Sequence, residues 1–416
     1  MESLPLFKDK KEKSYFFISI FIIFCVNIYL HFIDYKRFTN IEVFQTDAII
    51  LNIYEKQKYN VLKLQTQNSD LGFTFFTSSY TNHNYKKLQN INLFIVTKDI
   101  SFFQYLKGFY GKSFALTLLE TTTTKKQTIY NYINSQHQNK DISSLYSALF
   151  LATNISQNIR EVCSSFGISH LVAISGFHLG VISFVLYFLI HLIYKQIHQK
   201  YIPYRNKRFD ILIVVSIILF SYLLFVDLVP SLLRAFVMFV FGLFLLRNNI
   251  KIFSFETLLI IVLFIIALFP RLLFSLSLWF SVTGVFYIFL FIHYFKNMNK
   301  YLQFLVFNFW IYFAMNPIVH YFFEDTSLMQ LYSPILTLLF TIFYPLVAFL
   351  HLIQFGWLFD DLLLKVLDLN IVVESVETPL WFFIIYALVS FYSIVSKKGF
   401  IVLNIAFLLF SLKLYL

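Results

Sequence analysis

Residues 169–196 read SHLVAISGFHLGVISFVLYFLIHLIYKQ. The second half is an unbroken apolar run on the scale of a membrane helix, which takes about 20 such residues. The first half, 169–180, crowds two histidines, two serines and two glycines into the mouth of that run. A bilayer accounts for the combination. Polar side chains at membrane depth turn toward a bundle interior or a water-filled cavity and away from lipid.

The whole chain agrees. Of its 416 residues, 58% are hydrophobic and only 13% charged, with mean hydropathy +0.70. A soluble domain is about half apolar and a quarter charged, so a water-soluble enzyme or binding module is excluded for most of the sequence. The 55 phenylalanines reflect a drift toward Phe, Ile, Leu, Asn and Lys along the entire chain. The net charge of +11 fits an anionic partner, and equally the Lys and Arg excess of cytoplasmic loops. Cys25 falls inside the first apolar segment, so no structural disulfide with Cys163 is expected.

Lys8, Lys10, Lys11 and Lys13 precede an apolar stretch from Tyr15 to Ile33. That run is long for a signal core and lacks a small-residue cleavage site, so 1–34 reads as a retained anchor with its N-terminus inside. Residues 35–110 differ in kind. Ile49, Leu51 and Ile53, then Leu62 and Leu64, then Leu71, Phe73 and Phe75, then Ile91, Leu93 and Ile95 alternate around polar turns. Period-two patterning predicts a small antiparallel β domain, placed outside the cytoplasm by the single preceding span. Residues 111–165 form a polar, helical approach segment, and 166–416 are almost continuously apolar. The expected fold is therefore a polytopic α-helical membrane protein of about ten spans with a small all-β extracytoplasmic domain near the N-terminus.

Basic loops set the topology. Lys195, Lys200, Arg205, Lys207 and Arg208 mark one inner loop, Arg247 and Lys251 the next, and Lys296 and Lys300 a third. Beyond residue 326 the alternation fails, because the acidic segment 354–378 falls inside on strict counting. The long stretch 327–353 holds Pro334 and Pro345. A re-entrant pair of half-helices there would return the acids to the outer side. The following FGWLFDDLLLKVLDL reads as an amphipathic interfacial helix.

On a continuous helix, His170, Ser175 and His178 share one broad face, and Ser169, Gly176 and Gly180 the other. The two glycines make a small-xxx-small pair for close helix packing. Two histidines eight residues apart do not suit a metal site, and no acid stands near in sequence to orient a Ser–His pair. What remains is either a set of histidines satisfying neighbouring backbone groups or the lining of a polar passage.

FGISHLVAISGFHLG resembles the signature of the ComEC family of bacterial competence proteins, at His170, Leu171, Ala173, Ile174, Ser175, Gly176, His178 and Gly180. Phe177 stands where the family usually shows Leu. PSLLRAFVM, with Pro230, Arg234, Ala235 and Met238, resembles a second family segment, and LFSLSLWFSVTGV, with Leu276, Ser277 and Phe280, more loosely a third. The resemblance implies an inner-membrane channel for single-stranded transforming DNA, with an oligonucleotide-binding-type (OB-like) barrel after the first span. It points to His170, Ser175, His178, Arg234 and Ser277 as passage-lining residues, with Gly176 and Gly180 in helix packing. It further implies a periplasmic DNA receptor and a cytoplasmic helicase as partners and leaves room for a homo-oligomer. Many relatives carry a metallo-β-lactamase-like domain with a His-x-His-x-Asp-His motif. This chain lacks that motif, so the resemblance implies no nuclease activity, no metal, no cofactor and no catalytic residue. An intramembrane enzyme acting on lipid or peptide and a small-solute transporter are the alternatives.

Overall fold

The structure, a computed structural model, describes residues 9–416 apart from 57, 68–71, 81–84, 86, 120–124, 227–228 and 249–253. In chain order, helix α1 (Lys10–Thr39) leads into strands β1 (Val43–Glu55), β2 (Asn60–Thr66), β3 (Thr74–Ser79) and β4 (Asn90–Val96). Helix α2 (Phe102–Lys107), strands β5 (Phe109–Tyr110) and β6 (Ser113–Leu118), and helices α3 (Lys125–Asn134), α4 (Lys140–Leu151), α5 (Gln157–Ser165) and α6 (Ser169–Val172) follow. Next come α7 (Gly176–Tyr201), α8 (Lys207–Phe225), α9 (Pro230–Arg247), α10 (Phe255–Leu268), α11 (Leu276–Phe295) and α12 (Lys300–Phe322). The chain closes with β7 (Asp325–Thr326), α13 (Ser333–Leu352), α14 (Asp360–Leu367), β8 (Glu374–Ser375), α15 (Leu380–Tyr392) and α16 (Lys397–Tyr415). These elements fall into two compact units, one of residues 5–132 and 260–278, the other of 133–259 and 279–416.

In the first unit, α1 is about 45 Å long at 1.5 Å per residue. That exceeds a hydrocarbon core of about 30 Å, and its last turn carries Phe38 into the β domain. There Phe38 is fully buried beside Phe73, Phe75, Tyr105 and Phe109, with the Phe38 and Phe73 ring centroids 4.9 Å apart. The sheet order is β5-β3-β2-β1-β4-β6. β5 runs parallel to β3, and β6 pairs antiparallel with β4 at the opposite edge. Since β5 and β6 are nearly one strand, interrupted at Gly111 and Lys112, they close the sheet into a small barrel. Strands pair around the ring as an OB-like barrel requires, so few edges are left open.

The phase of β1 differs from the sequence expectation. Thr46, Ala48, Ile50 and Asn52 face the core, while Ile49, Leu51 and Ile53 are only half-buried. The run AIILNI allows either phase, and cross-strand partners decide it: Ala48 pairs with Ile91 and Ile50 with Leu64, both fully buried. Leu71 lies outside the described residues.

In the second unit, α7, α8 and α9 pack around Val215, Leu219, Leu223 and Leu232. α11, α12, α15 and α16 pack around Tyr287, Trp310, Tyr386 and Leu403. Trp310 Nε1–H donates to Asn404 Oδ1 at 2.8 Å, and Tyr386 OH to the Ala314 carbonyl at 2.7 Å, which satisfies polar groups that lipid could not. Across the described residues, seven helices are long and apolar enough to cross a membrane, with α10 and α15 shorter apolar helices. With these two, of 14 and 13 residues, and the 18-residue apolar α9, the apolar helices match the about ten spans that the sequence suggested.

The stretch 327–353 is not a pair of half-helices. It forms a 3-10 turn (Leu328–Tyr332) and then the single helix α13, in which Pro334 takes the first turn and Pro345 lies inside. Proline is tolerated at the first turn because the missing N–H there has no helical acceptor. The excursion nevertheless returns to its starting level. β7 pairs with β8, Val376 N–H donates to the Glu324 carbonyl and Thr378 N–H to that of His320. The Glu377 carboxylate holds Glu324 above the usual carboxylate range. Glu324, Asp325, Glu374 and Glu377 thus share one side, which repairs the parity that strict counting broke. Within FGWLFDDLLLKVLDL the chain forms the short helix α14, preceded by Trp357 and Leu358, both more than half exposed.

Candidate functional site

The signature segment is not one continuous helix. α6 ends at Val172, Ala173 is extended, and Ser175 is the extended N-cap of α7. Gly167 makes the preceding turn: its φ of +65° is left-handed, and an added Cβ would lie 3.4 Å from Gln330. The backbone groups freed by the break find side-chain partners. Ser175 N–H donates to His178 Nδ1 at 3.3 Å, with Ser175 Oγ also 3.3 Å from that nitrogen. Ser231 Oγ on α9 donates to the Ile174 carbonyl at 2.5 Å. Accepting the Ser175 amide makes Nδ1 the bare nitrogen of a neutral ring, so the His178 proton sits on Nε2.

His178 is fully buried, and its Nε2 has no hydrogen-bond partner. Phe340 and Tyr344 of α13 enclose it, with ring centroids 5.5 and 4.6 Å away. His170 is different. Its side chain is exposed. Its Nε2 is 3.5 Å from Thr337 Oγ1, again on α13. Thr337, Phe340 and Tyr344 are spaced three and four apart and form one stripe. Both signature histidines therefore face α13, one open and one shut in. Ser333 Oγ and Gln330 Nε2 anchor the start of that stripe by donating to the carbonyls of Gly167 and Ser164.

The two glycines separate. A Cβ on Gly176 would meet Ala235 of α9 at 3.5 Å, an ordinary contact, whereas one on Gly180 would meet nothing within 4 Å. Both glycines lie within α7, one turn apart, and of the two only Gly176 is in contact with α9. Arg234, one turn into α9, is only 4% exposed, so it does not snorkel outward. Ser277 sits exposed in the first turn of α11 and belongs to the β-domain unit, not to the unit of His170, Ser175 and His178. Cys163, buried behind the segment, is a free thiol pushed up to about 12 by desolvation.

Sequence patterning did not single out a second surface, on the barrel. Lys63 stands opposite Phe76, and Phe76 opposite Tyr110, so these side chains share the outer face of β2, β3 and β5. Lys63 Nζ lies 5.8 Å over the Phe76 ring, and Tyr54 is 6.5 Å from Phe76. Beside them, the Tyr59 and Tyr80 rings lie 5.4 Å apart, tilted by 39°, with Lys56 over Tyr59 at 5.9 Å. Exposed rings interleaved with lysines offer π-faces and positive charge together, as single-strand binders do.

A helical bundle crossing the bilayer several times, a small β barrel and a polar helix break facing a neighbouring helix define a multi-pass membrane protein with an internal polar site. The competence-protein family matches residues 152–416, well over half of the chain. The chain belongs to that family, and its role is in competence and DNA uptake. No curated protein and no solved structure matches it.

Proposed function

We propose that this protein passes single-stranded DNA across the bacterial inner membrane during natural transformation, with the N-terminus cytoplasmic and the barrel periplasmic. The observation that carries the reading is the broken signature segment. A buried orphan donor and an exposed histidine, His178 and His170, face one movable-sized stripe of α13 inside an otherwise apolar bundle. Phosphates crossing a low-dielectric slab need a few hydrogen-bond donors and no strong binding site, because conduction requires release. His170, Ser175, His178 and Arg234 supply such groups, and the closed ring of His178 describes a resting state. The Lys63–Phe76–Tyr110 face of the barrel suits a strand of any sequence, since every base has a π-face. A DNA receptor outside and a helicase inside would deliver and pull the strand.

The test is uptake of end-labelled duplex DNA by cells lacking the protein, complemented with wild type or with His170→Ala. Surface-bound label persists, and label inside the cytoplasm is lost without the protein. Normal internal label in the deletion strain would sink the reading. A growth or lipid defect without an uptake defect would favour a transporter or a lipid-acting enzyme. Orientation is checked separately: a cysteine at Thr74, exposed on β3, labels with an impermeant maleimide in intact spheroplasts.

A further inference from the structure

The far end of α13 holds a second histidine cluster that the signature segment does not use. His137 follows α3, His351 lies in the last turn of α13, and Asp360 opens α14. His137 Nδ1 is 3.0 and 2.9 Å from the two Asp360 oxygens, and its Nε2 is 3.0 Å from His351 Nε2. His351 Nδ1 is 2.7 Å from the Val347 carbonyl.

Those distances fix the proton count. A carbonyl only accepts, so His351 Nδ1 carries a hydrogen and, in the neutral ring, Nε2 is bare. Two bare nitrogens repel at 3.0 Å, so a proton lies between the rings. If it comes from His137, then His137 Nδ1 either donates to an Asp360 carboxylate or accepts from an Asp360 carboxylic acid. Both arrangements hold one proton more than a carboxylate and two neutral imidazoles. The surroundings keep it there. The His137 side chain is fully buried and that of Asp360 is 15% exposed. Tyr146 of α4 stacks on His137 at 4.7 Å and touches His351 at 4.5 Å. Tyr146 and Asp361 are the other titratable groups acting on the cluster, and burial holds both Asp360 and the Tyr146 phenol above their usual ranges. A metal ion has little room: a Cβ on Gly356 would lie 2.9 Å from His351 Nε2 and 2.6 Å from Gln136 Oε1.

We propose that His137, His351 and Asp360 form a one-proton binding site that latches the α13–α14 turn onto the α3–α4 segment and so holds α13 against the signature histidines. Gln136 reinforces the same joint, donating to the His351 carbonyl and accepting from Gly356 N–H. The sign of the pH dependence follows from counting protons. In the unfolded chain both histidines titrate near 6.5 and the aspartate near 3.9. Above about pH 6.5 the open form holds fewer protons than the latch, so the latch weakens as pH rises until its proton leaves. Below about pH 6.5 the open form takes up two protons against one, and the latch weakens again. It is strongest near about pH 6.5, between the two limbs.

The proposal is independent of what passes through the protein, so it is tested on the full chain in nanodiscs without DNA. Hydrogen exchange of residues 353–369 is followed against pH and corrected for intrinsic rates. The wild-type opening constant should rise about tenfold per pH unit above neutrality, the slope of one bound proton. His351→Gln, which offers His137 a neutral donor, should flatten that limb. Asp360→Asn, which removes only the anion, should make the limb end at lower pH. A wild-type opening constant independent of pH, or an unchanged slope in both variants, overturns the proposal. So does protection by micromolar Zn2+ that both variants abolish, since a metal would then take the place of the proton.

Discussion

In the barrel, rings such as Phe38, Phe75 and Phe109 point inward and lysines ride on the outside; in the helical unit the order is inverted. Phe184 and Ile193 of α7 are 72% and 70% exposed, while Asn316, Gln330, Ser333 and His351 are buried. The same side-chain chemistry is sorted by two different surroundings. Water drives apolar surface into the barrel core. Lipid leaves apolar surface indifferent and drives polar groups to find one another in the bundle. A buried histidine therefore means different things in the two regions. In a barrel core it would be a cost to stability, whereas in the bundle it marks where polar groups are gathered for use.

The comparison is broken most severely at His178. His178→Ala is expected to abolish DNA uptake while leaving near-normal amounts of protein, since the lost cap on α7 costs only about 1 kcal/mol. Protein level and uptake are measured together. If abundance falls as far as uptake does, His178 only holds the bundle together, and the functional contrast with the barrel core disappears. Phe38→Ala should do the opposite. Emptying the barrel core costs about 3–5 kcal/mol, read as a lowered unfolding temperature of the β domain, and uptake falls only in proportion to folded protein.

The outer face of the barrel sharpens the contrast from the other side. Phe76→Ala should weaken binding of a fluorescent oligo-dT strand to the nanodisc-embedded protein by about 1–3 kcal/mol, the worth of one stacked base. Lys63→Gln should weaken it less and reduce its salt dependence. The fold should be untouched, because both side chains stand on the solvent face. Unaltered binding in the double variant would remove the barrel from the path of the strand.

How much of this was legible in the sequence depended on which physical signal each region left. The β domain announced itself because its strands alternate, but AIILNI at 48–53 carries no phase of its own, and only the partners Ile91 and Leu64 choose one. The aromatic face was missed because Tyr54, Phe76 and Tyr110 come together through register across strands, with nothing local to mark them. Polar residues exposed the signature segment, yet Ala173–Ser175 contain neither proline nor glycine to warn of the helix break. Thr337, Phe340 and Tyr344 were hidden in an apolar run, and their spacing became meaningful only once His170 and His178 were seen opposite them. The proton cluster joins residues 137, 351 and 360, a separation that no local pattern spans.

The smallest expected effect separates the two glycines of α7. A small-xxx-small contact would pack Gly176 and Gly180 together against a neighbour, and any side chain at either would push that neighbour away. In α7 only Gly176 meets α9, at Ala235, and Gly180 faces open space. Gly180→Ala should therefore stabilise the protein, by up to about 1 kcal/mol, because alanine in a helix interior is favoured over glycine by that much. Gly180→Leu should fold as well as wild type, while Gly176→Leu should lower the yield of folded protein by forcing α7 from α9. Yield and unfolding temperature in detergent distinguish the cases. Equal damage from leucine at both positions would put Gly180 back on the packing face and restore the small-xxx-small contact.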